Sequence, residues 1–398
     1  MIRAWLQNAL GMRPSLGAAT SAINIGLKLR KPSLRWALLW PRTATLRTLI
    51  SRATVTVFLT LFPFDLHAEE TVTRLKPDEQ IVFYPSVAQR VPGETNLWRV
   101  EIRGCVYEVE NQRLLVAAFR EAMELKTEEM TSAQSVVFGE RPRLFLVDHE
   151  RGKKIFIRCG TNEFFVGKSG ADGRFSGKIN FKDSAATSFT AILQLGDLRI
   201  FSGAIFPLEA EGISVISDID DTIKITEVRD MQATLMNTFL REFQAVPGVA
   251  EFYQALARSN VPAFHYISAS PWQLYGPLAA FVASNDFPTG PFELKQFRWK
   301  DRSFFSLFAA PEKYKPGVIE PLLKKFPKRK FILIGDSGER DPEIYGALAR
   351  KFPEQIIHIY IRDVTKETDE AKRYQEAFRD MPRAKWHIFR EPSKIKPG

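Results

Sequence analysis

The chain reads as an α/β protein with a doubly wound parallel sheet, preceded by a small β-rich domain. Three observations carry that reading. From Ile213 onward, strand-length apolar runs alternate with helical patterns, which is the rhythm of strands wound in parallel with helices between them. Before that point, residues 75 to 205 hold short apolar runs separated by turn signals, the pattern of a small antiparallel sandwich. Between the two, the apolar run Ile213 to Ile216 passes into Ser217-Asp218-Ile219-Asp220-Asp221-Thr222, two acids spaced two residues apart at a strand end.

In chain order, four parts are expected: a basic leader over 1–68, a β-rich domain over 75–208, an α/β domain over 211–366 and a charged tail over 367–398. The β-rich part offers strands at Ile81–Tyr84 (stopped by Pro85), Trp98–Val106, Arg143–Val147, Lys154–Cys159, Phe164–Val166, Ser188–Leu195 and Leu198–Phe206. Gly170 to Phe175 reads as a hairpin turn, and Asn111 to Thr131 interrupts the strands with helical spacing. Nothing in this region carries chemistry, so it is expected to be structural or to dock a partner. The α/β part offers strands at Ile213–Ser217, Ala263–Ser268, Phe331–Gly335 and Gln355–Arg362, with helices at Val249–Arg258, Trp272–Ser284 and Gly317–Phe326. The tail offers one helix (Asp369–Arg379) and a possible edge strand within Lys385–Arg390.

Charge excludes one function class. The net charge is +10, but residues 1–52 hold nine of the 56 basic residues and no acid. The remaining 47 basic residues face 46 acidic ones, so the folded body has no excess of the kind that nucleic-acid binding requires. The leader runs into the apolar stretch Thr54–Phe62, too short to span a bilayer as a helix, and then Leu66-His67-Ala68. A basic region, an apolar region and a small residue point to export, with periplasmic or membrane-associated placement favoured. A transit segment, an over-extended start and a cytoplasmic protein are the alternatives. Cys105 and Cys159 lie in strand-like runs and read as buried free thiols. His265 and His358 lie inside strand patterns and read as satisfied core histidines.

The Asp-x-Asp-x-Thr strand end is where the chemistry is expected. Residues i and i+2 of a strand share a face, so Asp218 and Asp220 begin on one side. At the carboxyl end of a buried parallel strand they sit where open α/β sheets bind ligands. Two such carboxylates repel unless a cation lies between them or one holds a proton, and Mg²⁺ is the usual cation beside phosphate. A calcium loop starting at Asp218 is excluded, because its sixth and twelfth positions would be Ile223 and Arg229. The neighbouring Asp221 is expected at the surface or at a hinge. Three more segments follow in order: the apolar run ending in Ser268-Ala269-Ser270, the pair Lys313 and Lys315 at a helix entrance, and Lys330–Gly335 ending in Asp336-Ser337-Gly338-Glu339-Arg340-Asp341. An acid, a hydroxyl, a lysine and a second acid, each at the end of an element, form a phosphoryl-transfer constellation.

These four segments resemble the motifs of the haloacid dehalogenase superfamily. Ser217 to Lys224, Tyr266 to Tyr275 and Gly335 to Tyr345 resemble one branch more closely, the catalytic domain of the actin-patch-associated phosphatidate phosphatases, in its bacterial form. The resemblance runs from about Tyr84 to Val364. It implies that Asp218 is the nucleophile and Asp220 the general acid and base. Asp218, Asp336 and the main-chain carbonyl of Asp220 would hold Mg²⁺, with Asp341 supporting the metal site or orienting Lys315. Ser268 would donate to a phosphoryl oxygen, Lys315 (preferred to Lys313) would neutralise charge, and Thr222, Ser270, Trp272 and Tyr275 would contact substrate.

The spans from Thr222 to Ser268 and from Ser268 to Lys315 are 46 and 47 positions, which leaves room for only a minimal cap. An open site suits a substrate too large to enclose. Such a substrate is a lipid headgroup at a membrane surface or a protein; the resemblance implies the lipid phosphate, phosphatidate first, with peripheral membrane contact and no stable protein partner expected. A phosphatase of phosphoproteins or soluble phosphoesters, and a receiver-like or phosphate-binding module, are the alternatives.

Overall fold

The computed structural model describes residues 71–109, 130–182, 187–259, 263–296 and 311–395. The expected leader, and nearly all of the helical stretch expected at Asn111–Thr131, lie outside the described residues.

The N-terminal part is a nine-stranded sheet. Its strands are β1 (Glu79–Tyr84), β2 (Ser86–Arg90), β3 (Trp98–Val109), β4 (Val147–His149), β5 (Lys154–Cys159), β6 (Asn162–Lys168), β7 (Arg174–Phe181), β8 (Ser188–Ala191) and β9 (Ser202–Leu208). One helix, α1 (Ser132–Glu140), precedes β4 and is closed at its start by Thr131 and Gln134 bonding reciprocally. The long strand β3 organises the sheet, pairing with β1, β2, β4 and β7. Its alternate residues Trp98, Val100, Ile102 and Val106 are buried in the domain core, as the two-residue period of a strand requires. Pro85, which has no N–H to give a ladder, separates β1 from β2.

Two details depart from the sequence reading. Strands β2 and β9 run parallel, so the sheet is not purely antiparallel. The segment expected as strand at Arg143–Val147 begins as a short 3₁₀ helix at Pro142–Phe145. Proline suits the start of a helix, and Phe145 is drawn into a core that belongs to the second domain.

The second part is a six-stranded parallel sheet in the order β12-β11-β10-β13-β14-β15. Its strands are β10 (Ile213–Asp218), β11 (Ala263–Pro271), β12 (Phe292–Lys295), β13 (Lys330–Asp336), β14 (Ile356–Arg362) and β15 (Trp386–Phe389). The helices are α2 (Met231–Phe239), α3 (Val249–Arg258), α4 (Tyr275–Ser284), α5 (Pro311–Lys325), α6 (Asp341–Lys351) and α7 (Lys372–Ala377). The winding is double, as expected. Val215 of β10 and Ile332 and Ile334 of β13 join one core with α3 and α4, while Ile216, Phe331 and Leu333 join a second core with α5 and α6. Strand order reverses beside β10, which pairs with β11 on one side and β13 on the other. A crevice outside the carboxyl ends of β10 and β13 is where this topology places a ligand.

The two cysteines are free and buried. His265 and His358 are strand residues, as expected, but the Nε2 of each is buried without a hydrogen-bond partner. Among the described residues no helix is long and apolar enough to cross a membrane.

Candidate active site

Strand β10 delivers Asp218 at its last position and β13 delivers Asp336 at its last position, side by side across the crevice. Asp341 opens α6 and is fully buried. It reaches back so that its Oδ2 accepts from the main-chain N–H of Asp336 at 3.3 Å. Gly335 makes that approach possible, since a Cβ there would come within 2.2 Å of Asp341 Oδ2. Carboxylate oxygens of Asp218, Asp336 and Asp341 lie within 4.8 Å of one another.

Lys315, also fully buried, balances part of this charge. Its Nζ lies 2.9 Å from Asp218 Oδ1, 2.5 Å from Asp341 Oδ1 and 2.9 Å from Glu339 Oε2. Burial alone would push its proton off, but the carboxylates of Asp218, Asp341 and Glu339 prevail and hold its pKa well above the ordinary lysine range. The helix that carries it begins at Pro311, so Lys315 stands in the second turn and not at the entrance expected for a helix starting at Gly317. The side chain of Lys313 lies outside the described residues.

Burial, followed by the surrounding carboxylate charges, raises the pKa of Asp218 and Asp336 well above the usual carboxylate range. Asp218 Oδ2 accepts from Thr222 Oγ1 at 3.0 Å, and Asp336 Oδ1 accepts from the N–H groups of Gly338 and Glu339. The other oxygen of each, Asp218 Oδ1 and Asp336 Oδ2, is buried without a hydrogen-bond partner. Asp336 Oδ2 without a partner, Asp218 Oδ1 held by the Lys315 ion pair alone, and a third carboxylate beside them are the donor set that a hard divalent cation takes. The residues present fit Mg²⁺.

Asp220 departs from the sequence expectation. The strand ends at Asp218 and the chain then turns tightly, with the N–H groups of Ile223 and Lys224 both reaching Ile219 O. The two-residue period therefore stops applying, and the Asp220 carboxylate stands apart from the acid cluster. It receives four donors: Lys224 and Thr226 at 2.8 Å on Oδ1, Ser268 at 2.6 Å and Ser270 at 3.0 Å on Oδ2. Burial opposes its charge, but Lys224 and the two hydroxyl donors Ser268 and Thr226 hold its pKa below the usual range. As a metal ligand it is left with the role of its main-chain carbonyl alone. Lys224 and Thr226 went unread in the sequence, although a lysine and a threonine within six residues of Asp220 were a signal available there.

Other placements also differ from expectation. Thr222 is fully buried under Asp218, which it orients, and does not face the cleft. Ser268 is fully buried against Asp220. Trp272 and Tyr275 turn away into a core: Trp272 stacks on Tyr84 of the N-terminal domain at 4.0 Å, and Tyr275 meets Tyr84 edge-on. Asp221 is buried at a left-handed backbone angle, φ 55°, where its carboxylate accepts from the N–H groups of Thr226, Glu227 and Val228. It staples the loop that carries Thr226.

Above the acids lies a cleft of about 560 Å³. Asp220, Ser270 and Glu339 stand in its floor, and Asp218 lies just beneath, 1% exposed. The rim carries Arg229, Arg340 and the exposed Met231 of α2.

Comparison with known proteins finds a family match over the α/β part of the chain. Residues 213–363 match the family model described as phosphatidate phosphatase APP1, catalytic domain. The phosphatidate phosphatase APP1 of Saccharomyces cerevisiae is 44% identical over 154 residues, which is 38% of this chain and 26% of that protein. A Schizosaccharomyces pombe protein described only as uncharacterized is 32% identical over 171 residues, covering 42% of this chain and 28% of its own length. The matches thus span about a quarter of the length of these curated relatives. A crystal structure of a putative β-phosphoglucomutase from Thermotoga maritima is 13% identical, with a TM-score of 0.27 over 46% of this chain and 95% of that one, a likeness too slight to argue from.

Proposed function

We propose that the chain is a Mg²⁺-dependent phosphoric monoester hydrolase acting through an aspartyl phosphate, with phosphatidate as substrate and diacylglycerol as product. The observation that carries this is the triad of Asp218, Asp336 and Asp341 around Lys315, at the reversal point of the parallel sheet, within a segment of the phosphatidate phosphatase family. Asp218 and Asp336, through the oxygens that accept no hydrogen bond, would hold Mg²⁺ with the Asp220 carbonyl, Asp341 standing behind them. The ion would supply positive charge to the phosphoryl oxygens.

Asp218 would attack phosphorus as the bond from phosphorus to the alcohol oxygen breaks; Asp220, held ionised among Ser268, Ser270, Lys224 and Thr226, would take up a proton when the phosphate dianion binds and pass it to the leaving oxygen. Asp220 would then take a proton from the attacking water as the aspartyl phosphate is hydrolysed, freeing Asp218 and inorganic phosphate. Lys315 balances charge at Asp218 throughout. The lipid assignment draws on the family and on a cleft lining that offers the exposed Arg229 and Arg340 to phosphate and the exposed Met231 to an acyl chain.

The test is Mg²⁺-dependent phosphate release from phosphatidate in mixed micelles. Asp218→Asn is expected to abolish it with the fold retained by circular dichroism, and Asp220→Asn to slow it by about 10²–10⁴-fold. Turnover retained in a folded Asp218→Asn protein would sink the covalent mechanism. A wild-type chain that hydrolyses a soluble aryl phosphate as well as it does phosphatidate would remove the lipid assignment alone.

A further inference from the structure

Beside the active-site cleft lies a second hollow of about 430 Å³, built where α7 crosses α6. Five cations line it, Arg340, Arg350, Lys372, Arg373 and Arg379, against two carboxylates, Glu343 and Glu376. Arg340 and Arg373 line both hollows, so the two share a wall. Apart from Arg340, which the proposed function offers to substrate phosphate, none of these residues takes part in the chemistry proposed above.

The shelf is built, not strewn. Gly346 lets α7 come down onto α6, because a Cβ at that position would meet Ala377 O at 1.9 Å. Arg350 Nη1 donates to that same carbonyl at 2.6 Å. The guanidinium of Arg373 is fixed on four sides: Nε and Nη2 donate to the Glu343 carboxylate at 2.8 and 3.1 Å, and Nη1 and Nη2 donate to the carbonyls of Ser337 and Glu339. One wall of the shelf is thereby tied to the Asp336–Asp341 loop. Glu343 is spoken for by Arg373, and Glu376 is engaged by Lys372 only at 3.5 Å and in solvent. A positive surplus remains, facing outward at Lys372 and Arg379.

We infer that this shelf is a second binding subsite for a phosphate-ester anion, filled by the headgroup of an anionic phospholipid lying beside the substrate in the bilayer. The inference rests on the lipid reading of the active site. Its chemistry is that of clustered guanidinium and ammonium groups toward phosphate oxygens. Its effect is to hold the cleft mouth against an anionic surface, where juxtaposed cations add attraction that salt screens within about 10 Å.

The full chain is tested by co-sedimentation with phosphatidylcholine vesicles, with and without phosphatidylglycerol, for wild type, for Lys372→Glu/Arg379→Glu and for the charge-keeping Lys372→Arg/Arg379→Lys. Charge reversal is expected to weaken binding to the phosphatidylglycerol vesicles by about tenfold or more, since each cation near such a surface contributes about fivefold. The charge-keeping pair is expected to bind like wild type, and added salt to narrow the difference. The ratio of vesicle phosphatidate turnover to aryl phosphate turnover should fall with charge reversal.

Equal vesicle affinity for wild type and the charge-reversed chain overturns the lipid occupant. If inorganic phosphate, titrated by calorimetry, then binds wild type and not the charge-reversed chain, the shelf holds free phosphate instead. If it binds neither differently, there is no subsite. A wild-type chain that hydrolyses aryl phosphate but not phosphatidate ends the lipid reading of the active site, and leaves sedimentation as an independent measure of the shelf.

Discussion

Lys224 shows how a single side chain settles the state of the site. It is 2% exposed, its Nζ sits 2.8 Å from Asp220, and it lies over the ring of Phe243. Removing one member of a buried pair leaves the other charged and unpaired, which costs about 3–5 kcal/mol. Lys224→Met is therefore expected to lower unfolding stability by that order in a urea titration. A loss under about 1 kcal/mol would mean that Ser268, Ser270 and Thr226 alone suffice for Asp220. The sequence made Asp218 and Asp336 legible because each ends a strand whose apolar pattern is local, and Lys315 because it lies just before the apolar helical positions Val318, Ile319, Leu322 and Leu323. It misdirected the reading of Asp220, because the two-residue period of a strand was carried one step past the strand's end. Thr222 was misread for a related reason, as its partner Asp218 lies one tight turn back and not across the cleft.

At the scale of elements, the central strands carry a liability in acid. His265, on β11, is 4% exposed, and burial first, then the charge of Arg329, lowers its pKa to about 3. The unfolded chain binds a proton at this residue near pH 6.5 while the folded chain refuses it until about pH 3, so the unfolded state binds more protons throughout that window. Stability accordingly rises with pH across it and falls as the solution is acidified, by up to about 1.4 kcal/mol per pH unit from this one group. His265→Phe is expected to flatten the fall in melting temperature between pH 6.5 and 4, and an unaltered pH dependence would refute the assignment. Strands β10, β11, β13 and β14 were readable in order from their apolar runs, whereas β12, only four residues long, was not read. Helices α2 and α6 were not singled out: α2 mixes Thr, Asn and Gln with its apolar positions, and α6 opens inside the acidic motif that drew attention as chemistry.

For the whole molecule, the N-terminal domain is not a separate module. Tyr84, Cys105, Phe138 and Phe145 lie in the same core as α3 and α4 of the second domain. Arg103 holds Glu293 of β12 through two hydrogen bonds at 2.6 and 3.1 Å, and the buried Arg141 donates to the carbonyls of Thr238 and Arg241. Trp272 belongs to this junction. Trp272→Ala is expected to cost about 3–5 kcal/mol of stability while leaving KM for phosphatidate within about twofold. A raised KM with unchanged stability would return Trp272 to the substrate. This part of the design was illegible in sequence, because what buries Trp272 is a tyrosine 188 residues away with no local pattern to announce it.

That separation has a consequence in time. During synthesis the N-terminal strands leave the ribosome first, and Tyr84 must wait for Trp272. At about 5–20 residues per second the wait is about 10–40 s, with Tyr84, Phe138 and Phe145 turned to water on a half-made protein. The newborn chain thus spends its most vulnerable interval holding open the surface that, once closed, joins its two halves.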